Sequence, residues 1–595
     1  MKRTMLKMKN SGVRSLTLCL VLVCLFAGVT CAQERETVCR TYDEIVSYLQ
    51  PFLQAKERTI TFYFDSSLYD KIDDRDWMTD LVYDVGIAMT SWSYSNTKCT
   101  LKNIEYIDAV HCSTESEVLS ALVNAQGGSV NLFLSKDLYA RLAANGFSAL
   151  KDIEGHAGLM ERDMSYYNES YRVIEYKNMQ FAKNFARLST EDELRKYLTA
   201  RFNAKDQSFS FYCTVDLYNT LKPNSFSRLD DFQGFCGIKS RHMSYYDNKR
   251  IIEFSDVKYV ENFARLSTEE ELKRYLTGRV NEMDDAFGFY CTADLYKRLK
   301  QEDFDLPDDI LKNLGMLTRD MTYYDSTRIL LYNQAEYFPG KRIVWAVENN
   351  ATSGLSRQDQ QLFQLAFSLA NEAKVGAADE YQLVMNIHKA ITPLVRYQEG
   401  LENGDYSDHD TAVGALLNGY AECDGYADAF YLVGNLAGLD VHYQRGDSLQ
   451  EEEGEDTGHL WNVIVLGGKN YFVDLTWDDA EKGAHFGYTN IGRDIAQHCY
   501  TWDSRAVFYP LADTTDSANY YYTREGCAFT AVAQAQEYIR QQVKSGSGQF
   551  VIMLTHDGTS GASAVLDALL AGVNVGASYS YSDVGNYIFI IVTPK

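Results

Sequence analysis

Residues Tyr420 to Phe430 read YAECDGYADAF, and they set one thiol, Cys423, just ahead of apolar positions at Tyr426, Phe430, Val433 and Ala437 that recur at helical spacing. The sulfur therefore stands at or near a helix N-terminus, where unpaired backbone N–H groups and the helix dipole favour negative charge. Because the thiolate is the reactive form of cysteine, that position makes Cys423 a nucleophile candidate rather than a small apolar filler. Glu422, Asp424 and Asp428 act in the opposite sense, since nearby carboxylates keep a proton on sulfur. A cationic partner is needed to tip the balance.

His459 is the best-placed partner. It begins GHLWNVIVL, a strand that a Gly467–Gly468 turn joins to YFVDLTW. In an antiparallel hairpin with an even number of loop residues, positions 459 and 474 share a face, so His459 and Asp474 point the same way. A diagonal pair lies about 7 to 8 Å apart between backbones, within side-chain reach. Asp474 would then hold the imidazole in its useful tautomer and stabilise its cation. Asp478, on the same face but farther along, and Asp479 are the alternatives. His409, His442, His485 and His498 are expected in no hairpin aligned with a carboxylate, and none shows the paired spacing of zinc ligands. No metal and no cofactor is expected.

AECDGYADAF, GHLWNVIVL and NYFVDLTWDD, in that order, resemble the Cys, His and Asp motifs of the transglutaminase-like superfamily in its bacterial secreted form. IHKAITPLVRY from Ile387 and HFGYTNIGRDIAQHCYTWD from His485 are similar to other segments of such domains. The resemblance implies a papain-like core over residues 344–512, with the thiol on a helix packed against a small antiparallel sheet. It further implies Cys423 as nucleophile, His459 as general base and acid, and Asp474 as orienting carboxylate. Glu422 stands where a small or apolar residue is usual, and Asp424 where the animal cross-linking enzymes have tryptophan. The backbone N–H of Cys423 is the one oxyanion donor that can be named.

The first half of the chain repeats itself. NFARLSTEDELRKYLTARFN from Asn184 returns as NFARLSTEEELKRYLTGRVN from Asn262, FYCTVDLY from Phe211 as FYCTADLY from Phe289, and RHMSYYDNKRIIEF from Arg241 as RDMTYYDSTRILLY from Arg319. Weaker copies begin at Cys39 and Cys112. Each pairs an N-capped helix with a β-rich run, a short helix and a hairpin at the tyrosine pair, an α-β-α-β-β plan. The modules are taken as residues 33–111, 112–186, 187–264 and 265–343, with a degenerate fifth over 513–595. The paired tyrosines are expected to pack and close a turn, and Cys213 and Cys291 to be buried small residues.

Residues 1–32 carry Lys2, Arg3, Lys7, Lys9 and Arg14, then an apolar run to Val29 and small residues, the pattern of a secretory signal peptide. A lipid-anchored Cys31 is the less favoured alternative, because Thr30 precedes it. No other segment is apolar enough to span a membrane. A net charge of −25 opposes binding to nucleic acid or anionic membranes. Cys39, Cys99, Cys112, Cys213, Cys236, Cys291, Cys423, Cys499 and Cys527 are too sparse for a disulfide scaffold. The acidic run Glu451–Asp456 reads as a solvated loop, with calcium or a basic substrate as alternatives.

The expected fold is α+β and multidomain, a papain-like transglutaminase core between repeated small modules. The expected function is a secreted Cys-His-Asp enzyme that cleaves peptide or side-chain amides through an acyl-thioester, with a protein or peptide as partner. Water as acceptor makes it a peptidase or amidase, and a lysine amine makes it a cross-linking transglutaminase. A surface scaffold without activity is the reading from another class.

Overall fold

The computed structural model describes residues 37–595 apart from 126–127, 168–171, 399–407, 450–456, 480–484, 510–516 and 557–560. The leader at 1–32, with Cys31, and the acidic run Glu451–Asp456 lie outside the described residues. The chain divides into two compact units. One comprises residues up to 189 with 208–216 and 243–254, the other 190–207, 217–242 and 255–595.

In the first unit, Val38–Cys39, Thr59–Phe64, Lys98–Tyr106 and Ile87–Ser95 form a sheet in that spatial order, and Val110–Cys112, Val130–Leu134, Val173–Phe181 and Leu159–Tyr167 repeat it. In each, the short edge strand runs parallel to its neighbour and the other pairings are antiparallel. The plan is thus β-α-β-α-α-β-β, not α-β-α-β-β. The extra strand is two to four residues long, too short for an alternating pattern to show, and two short helices stand where one was expected, such as Lys136–Ala144 and Ser148–Ala157. The first helix of each copy starts as its sequence dictates. Thr41, Thr114, Thr190 and Thr268 are the N-caps, each accepting a hydrogen bond from the backbone of the residue three further on.

Successive modules meet through one repeated joint. Within the first unit, Arg250, in left-handed backbone conformation (φ 49°), donates from Nε to the Cys213 carbonyl at 3.1 Å and ion-pairs with Asp152 of the preceding copy. Arg172 (φ 48°) does the same with the Leu134 carbonyl and Asp84. Within the second unit, Arg328 (φ 51°) repeats it with the Cys291 carbonyl and Asp231. Glycine is required opposite. A Cβ on Gly155 would lie 1.9 Å from the Lys249 carbonyl oxygen, and one on Gly234 1.8 Å from that of Thr327. Cys213 and Cys291 end buried strands as expected. Tyr245 and Tyr323 are 53% and 44% exposed, so these tyrosines flank a hairpin turn and do not fill a core.

The second unit continues from the fourth module into helices Pro339–Glu348, Arg357–Lys374, Glu380–Ile391 and Cys423–Ala437. A five-stranded antiparallel sheet follows, in the order Thr489–Ile491, Lys469–Val473, Gly458–Leu466, Asp440–Ser448, Tyr500–Thr501. The helix Cys423–Ala437 is buried from Gly425 to Gly434 and packs on the Gly458–Leu466 strand. Asp428, one turn after Cys423, accepts from Tyr443 Oη at 2.7 Å, Ala412 N at 2.8 Å and Gly340 N at 3.1 Å. Burial raises its carboxyl to about 6 in spite of these donors. Gly340 can hold that position only without a side chain, since a Cβ would come within 2.2 Å of Asp428 Oδ1. Asp428 is therefore a buried anchor between helices, not a neighbour opposing the thiol.

The strand order of the modules returns at the end of the chain in Ala528–Phe529, Phe550–Thr555, Tyr587–Pro594 and Ala577–Val584. This last sheet shares one continuous hydrophobic core with the five-stranded domain, from Phe338 to Val592. Among the described residues no helix is long and apolar enough to cross a membrane.

Candidate active site

Cys423 is the first residue of its helix, and Glu422 before it is extended (φ −91°, ψ −175°). The helix start is pressed against the segment before it. Gly425 is needed there because a Cβ would stand 2.5 Å from the His409 carbonyl oxygen. The nine described cysteines are unbridged, and eight of them are buried while Cys423 is half-exposed. The sulfur thus combines access with a helix N-terminus, whose first N–H groups have no acceptor within the helix.

The hairpin registers Asn462 opposite Val473, which sets Asp474 beside Trp461 and makes His459 and Asp474 a diagonal pair. Their side chains meet. His459 donates from Nε2 to Asp474 Oδ2 at 2.7 Å, and Cys423 is the other group whose charge acts on the ring. Burial acts to discharge this imidazole, but the Asp474 carboxylate and the hydrogen bonds to Asp474 and Cys423 outweigh it and raise His459 to about 10. At neutral pH the ring is a cation held by the Asp474 carboxylate.

Asp474 is held in turn by the chain around it. It caps the short helix Leu475–Asp478, accepting from Thr476 N at 3.0 Å and Trp477 N at 3.2 Å, and its second oxygen accepts from Tyr500 Oη at 2.8 Å. Aromatic rings enclose the imidazole. Trp477 stacks on it with centroids 5.1 Å apart and planes at 15°, and Trp461 and Tyr500 lie at 5.8 and 5.9 Å. Sequence reasoning passes over Tyr500, Trp461 and Trp477. The aromatic content of CYTWD and LTW is their only local signal.

The alternative acids are engaged elsewhere. Asp478 is fully buried and accepts from His388 Nε2 at 3.1 Å, Tyr488 N at 2.8 Å and Thr489. Burial acts to raise it, but the hydrogen bonds from His388 and His485 hold it below the usual carboxylate range. This His388–Asp478 pair was not foreseen. Asp479 accepts from Tyr426. His485 stands beside Asp478, and His409 is buried with its ring 4.8 Å from that of Tyr420. The expectation for His442 needs correction. It lies on a strand antiparallel to that of His459 and has its own carboxylate, Asp440, at 3.0 Å. The cause is local: residues 440 and 442 share a strand face. Among the described residues no group of three or more His, Cys, Asp or Glu side chains is arranged to hold a metal ion.

Asp424 completes the surroundings of the sulfur. Its Oδ1 lies 3.8 Å from Cys423 Sγ, and its Oδ2 is ion-paired with Lys312 on the last helix of the fourth module, Asp305–Asn313.

No protein-family model and no curated protein matches the chain. Among solved structures it is similar to a TGase, at 12% identity over 33% of this chain and 52% of that one, with a TM-score of 0.19. It is also similar to a candidate cysteine protease from Cytophaga hutchinsonii, at 13% identity over 27% and 62% of the two chains and a TM-score of 0.17. A candidate protease from Parabacteroides distasonis ATCC 8503 aligns at 10% identity over 47% and 62%, with a TM-score of 0.19. The chain thus spans between about half and three fifths of the length of these structures. At such scores the overall likeness is slight, and the chemistry has to be read from the site itself.

Proposed function

We propose that this chain is an exported thiol enzyme of transglutaminase-like type, with Cys423 as nucleophile, His459 as acid and base, and Asp474 as orienting carboxylate. The observation that carries this reading is the His459 imidazole, bonded to Asp474 Oδ2 at 2.7 Å, with the partly exposed Cys423 among the groups that act on its charge. The Cys423 thiolate attacks an amide carbonyl, the C–N bond breaks, and His459 gives its proton to the departing amine, leaving an acyl-thioester. Water then attacks the thioester carbonyl while His459 takes up the water's proton, which restores the thiol and releases an acid. The resemblance of the three motifs to the bacterial secreted form of the superfamily favours water over an amine as acceptor. A protein or peptide is the substrate class.

Casein incubated with the full chain, with and without a primary-amine probe, separates the acceptors. New N-termini or released ammonia, lost in Cys423→Ala, support hydrolysis. Cys423-dependent incorporation of the probe replaces hydrolysis with transamidation. A further control is alkylation by iodoacetamide. Cys423 should be alkylated ahead of the eight buried cysteines, and His459→Ala should remove that reactivity. If His459→Ala changes nothing, the enzymatic reading falls.

A further inference from the structure

The fourth module presents to the next domain a face that the earlier modules present to one another, but with different residues. Aligning FQGFCG (Phe232–Gly237) with ILKNLG (Ile310–Gly315) sets Lys312 at the position of Gly234, and the same alignment of the second module gives Gly155. In those two copies the glycine makes room for a carbonyl oxygen of the following module. In the fourth copy no module follows, and the position carries a long cation.

The neighbours of that position are altered to match. Asn313, where the third module has Phe235, donates to the Ala506 carbonyl at 3.2 Å and accepts from Arg445 N at 2.6 Å. Asp309 stands where Asp231 receives Arg328. Burial raises it to about 6, and Arg445 of the following domain is the cation acting against that rise. The face therefore receives the thiol domain specifically, and Lys312 passes over the Phe338 ring, 4.7 Å from its centroid, to reach Asp424.

We infer that Lys312 is a positioning residue for the thiol chemistry: it engages the Asp424 carboxylate, so that this negative charge does not oppose a Cys423 thiolate paired with the His459 cation. The two neighbours act on Cys423 in opposite senses, the Asp424 carboxylate favouring the thiol and the His459 cation the thiolate. Asp424 Oδ1 stands 3.8 Å from Cys423 Sγ, within reach of the thiol proton. The remaining charged groups here are mostly acidic. Glu422 lies on the same helix start, and Asp410 and His409 come from the preceding segment. Asp410 is raised by burial first, then by Asp424 and Glu422, with Lys312 and His409 opposing. Removing Lys312 leaves an uncompensated carboxylate beside the sulfur, and a negative charge at that range favours the thiol over the thiolate. The inference rests on Cys423 being the nucleophile, and it makes the fourth module part of the active site.

The test follows alkylation of Cys423 by iodoacetamide against pH in the full chain, quantified by mass spectrometry of the Cys423 peptide. Lys312→Met is expected to raise the pH of half-maximal reactivity by about one unit. Lys312→Arg should keep the wild-type profile, and adding Asp424→Asn to Lys312→Met should restore it. Asp424→Asn alone removes the carboxylate that opposes the thiolate, and should leave the profile at or below that of the wild type. An unmoved profile in Lys312→Met overturns the inference, as does a shift that persists in the double variant, which would mark Lys312 as merely structural. If wild-type reactivity is insensitive to His459→Ala, it is the nucleophile reading that fails. If His459→Ala abolishes reactivity at low pH while Lys312→Met does not move it, only the role of Lys312 is lost.

Discussion

At the residue scale, His459 is governed by opposing effects: burial favours the neutral ring, Asp474 and Cys423 favour the charged one, and together they prevail. A raised histidine stabilises the folded chain while it is protonated. That contribution is complete below the unfolded value of about 6.5 and is lost as pH climbs through about 10. Thermal unfolding between pH 6 and 11 should show declining stability over that window, and Asp474→Asn should flatten it. The alkaline limb of kcat/KM should likewise fall toward neutrality in Asp474→Asn, because the imidazolium is then no longer held. Tyr500→Phe removes one donor to Asp474 without emptying the aromatic stack. About 1 kcal/mol, or several-fold in kcat/KM, is the expected loss in steady-state assays. The His459–Asp474 relation is legible in the sequence because strand parity is a local rule. Tyr500 is not, since it comes from another strand and local spacing says nothing of where that strand lies. Lys312 is less legible still, because it reaches the site from a different domain.

At the element scale, the cysteine helix is fixed by a buried carboxylate one turn after its sulfur. Asp428→Ala leaves Tyr443 Oη and two backbone N–H groups without their acceptor, and about 3 kcal/mol of stability should be lost in urea unfolding. Asp428→Asn keeps the shape and some of the bonds, and should lose less. In the sequence this aspartate looks like a charge hostile to the thiol. Its true role depends on Gly340 and Ala412 coming close from far along the chain, which no helical pattern reveals. The repeat helices are the opposite case. Their boundaries can be read from Thr followed three residues later by an acid, whereas the two- to four-residue edge strands that precede them cannot, because parallel pairing of so few residues leaves no periodicity.

At the scale of the whole molecule, the last sheet and the thiol domain share a core. Tyr522 stacks on Phe589 at 5.1 Å, Tyr488 meets the same ring at 5.5 Å, and Tyr522 Oη donates to the Gly487 carbonyl at 3.0 Å. A chain ended at residue 512 should therefore be poorly soluble and show no cooperative unfolding by calorimetry. Sequence comparison alone sets 513–595 apart as one more module, and it cannot show that this copy is fused to its neighbour. The arginine joint makes a different prediction. Gly234→Ala drives a methyl group into the Thr327 carbonyl, and should destabilise the second unit by about 2 kcal/mol or more in denaturant titrations.

That joint also sets where the array can change length in evolution. Its two faces, a carboxylate with a glycine on one side and a left-handed arginine on the other, match at the Asp152–Arg250 and Asp231–Arg328 joints. Duplicating a module between the third and fourth would rebuild the same seam twice. Inserting one after the fourth would put a glycine-bearing face against the thiol domain and carry Lys312 away from it, so lineages should gain and lose copies upstream while the final one stays tied to the domain that carries Cys423.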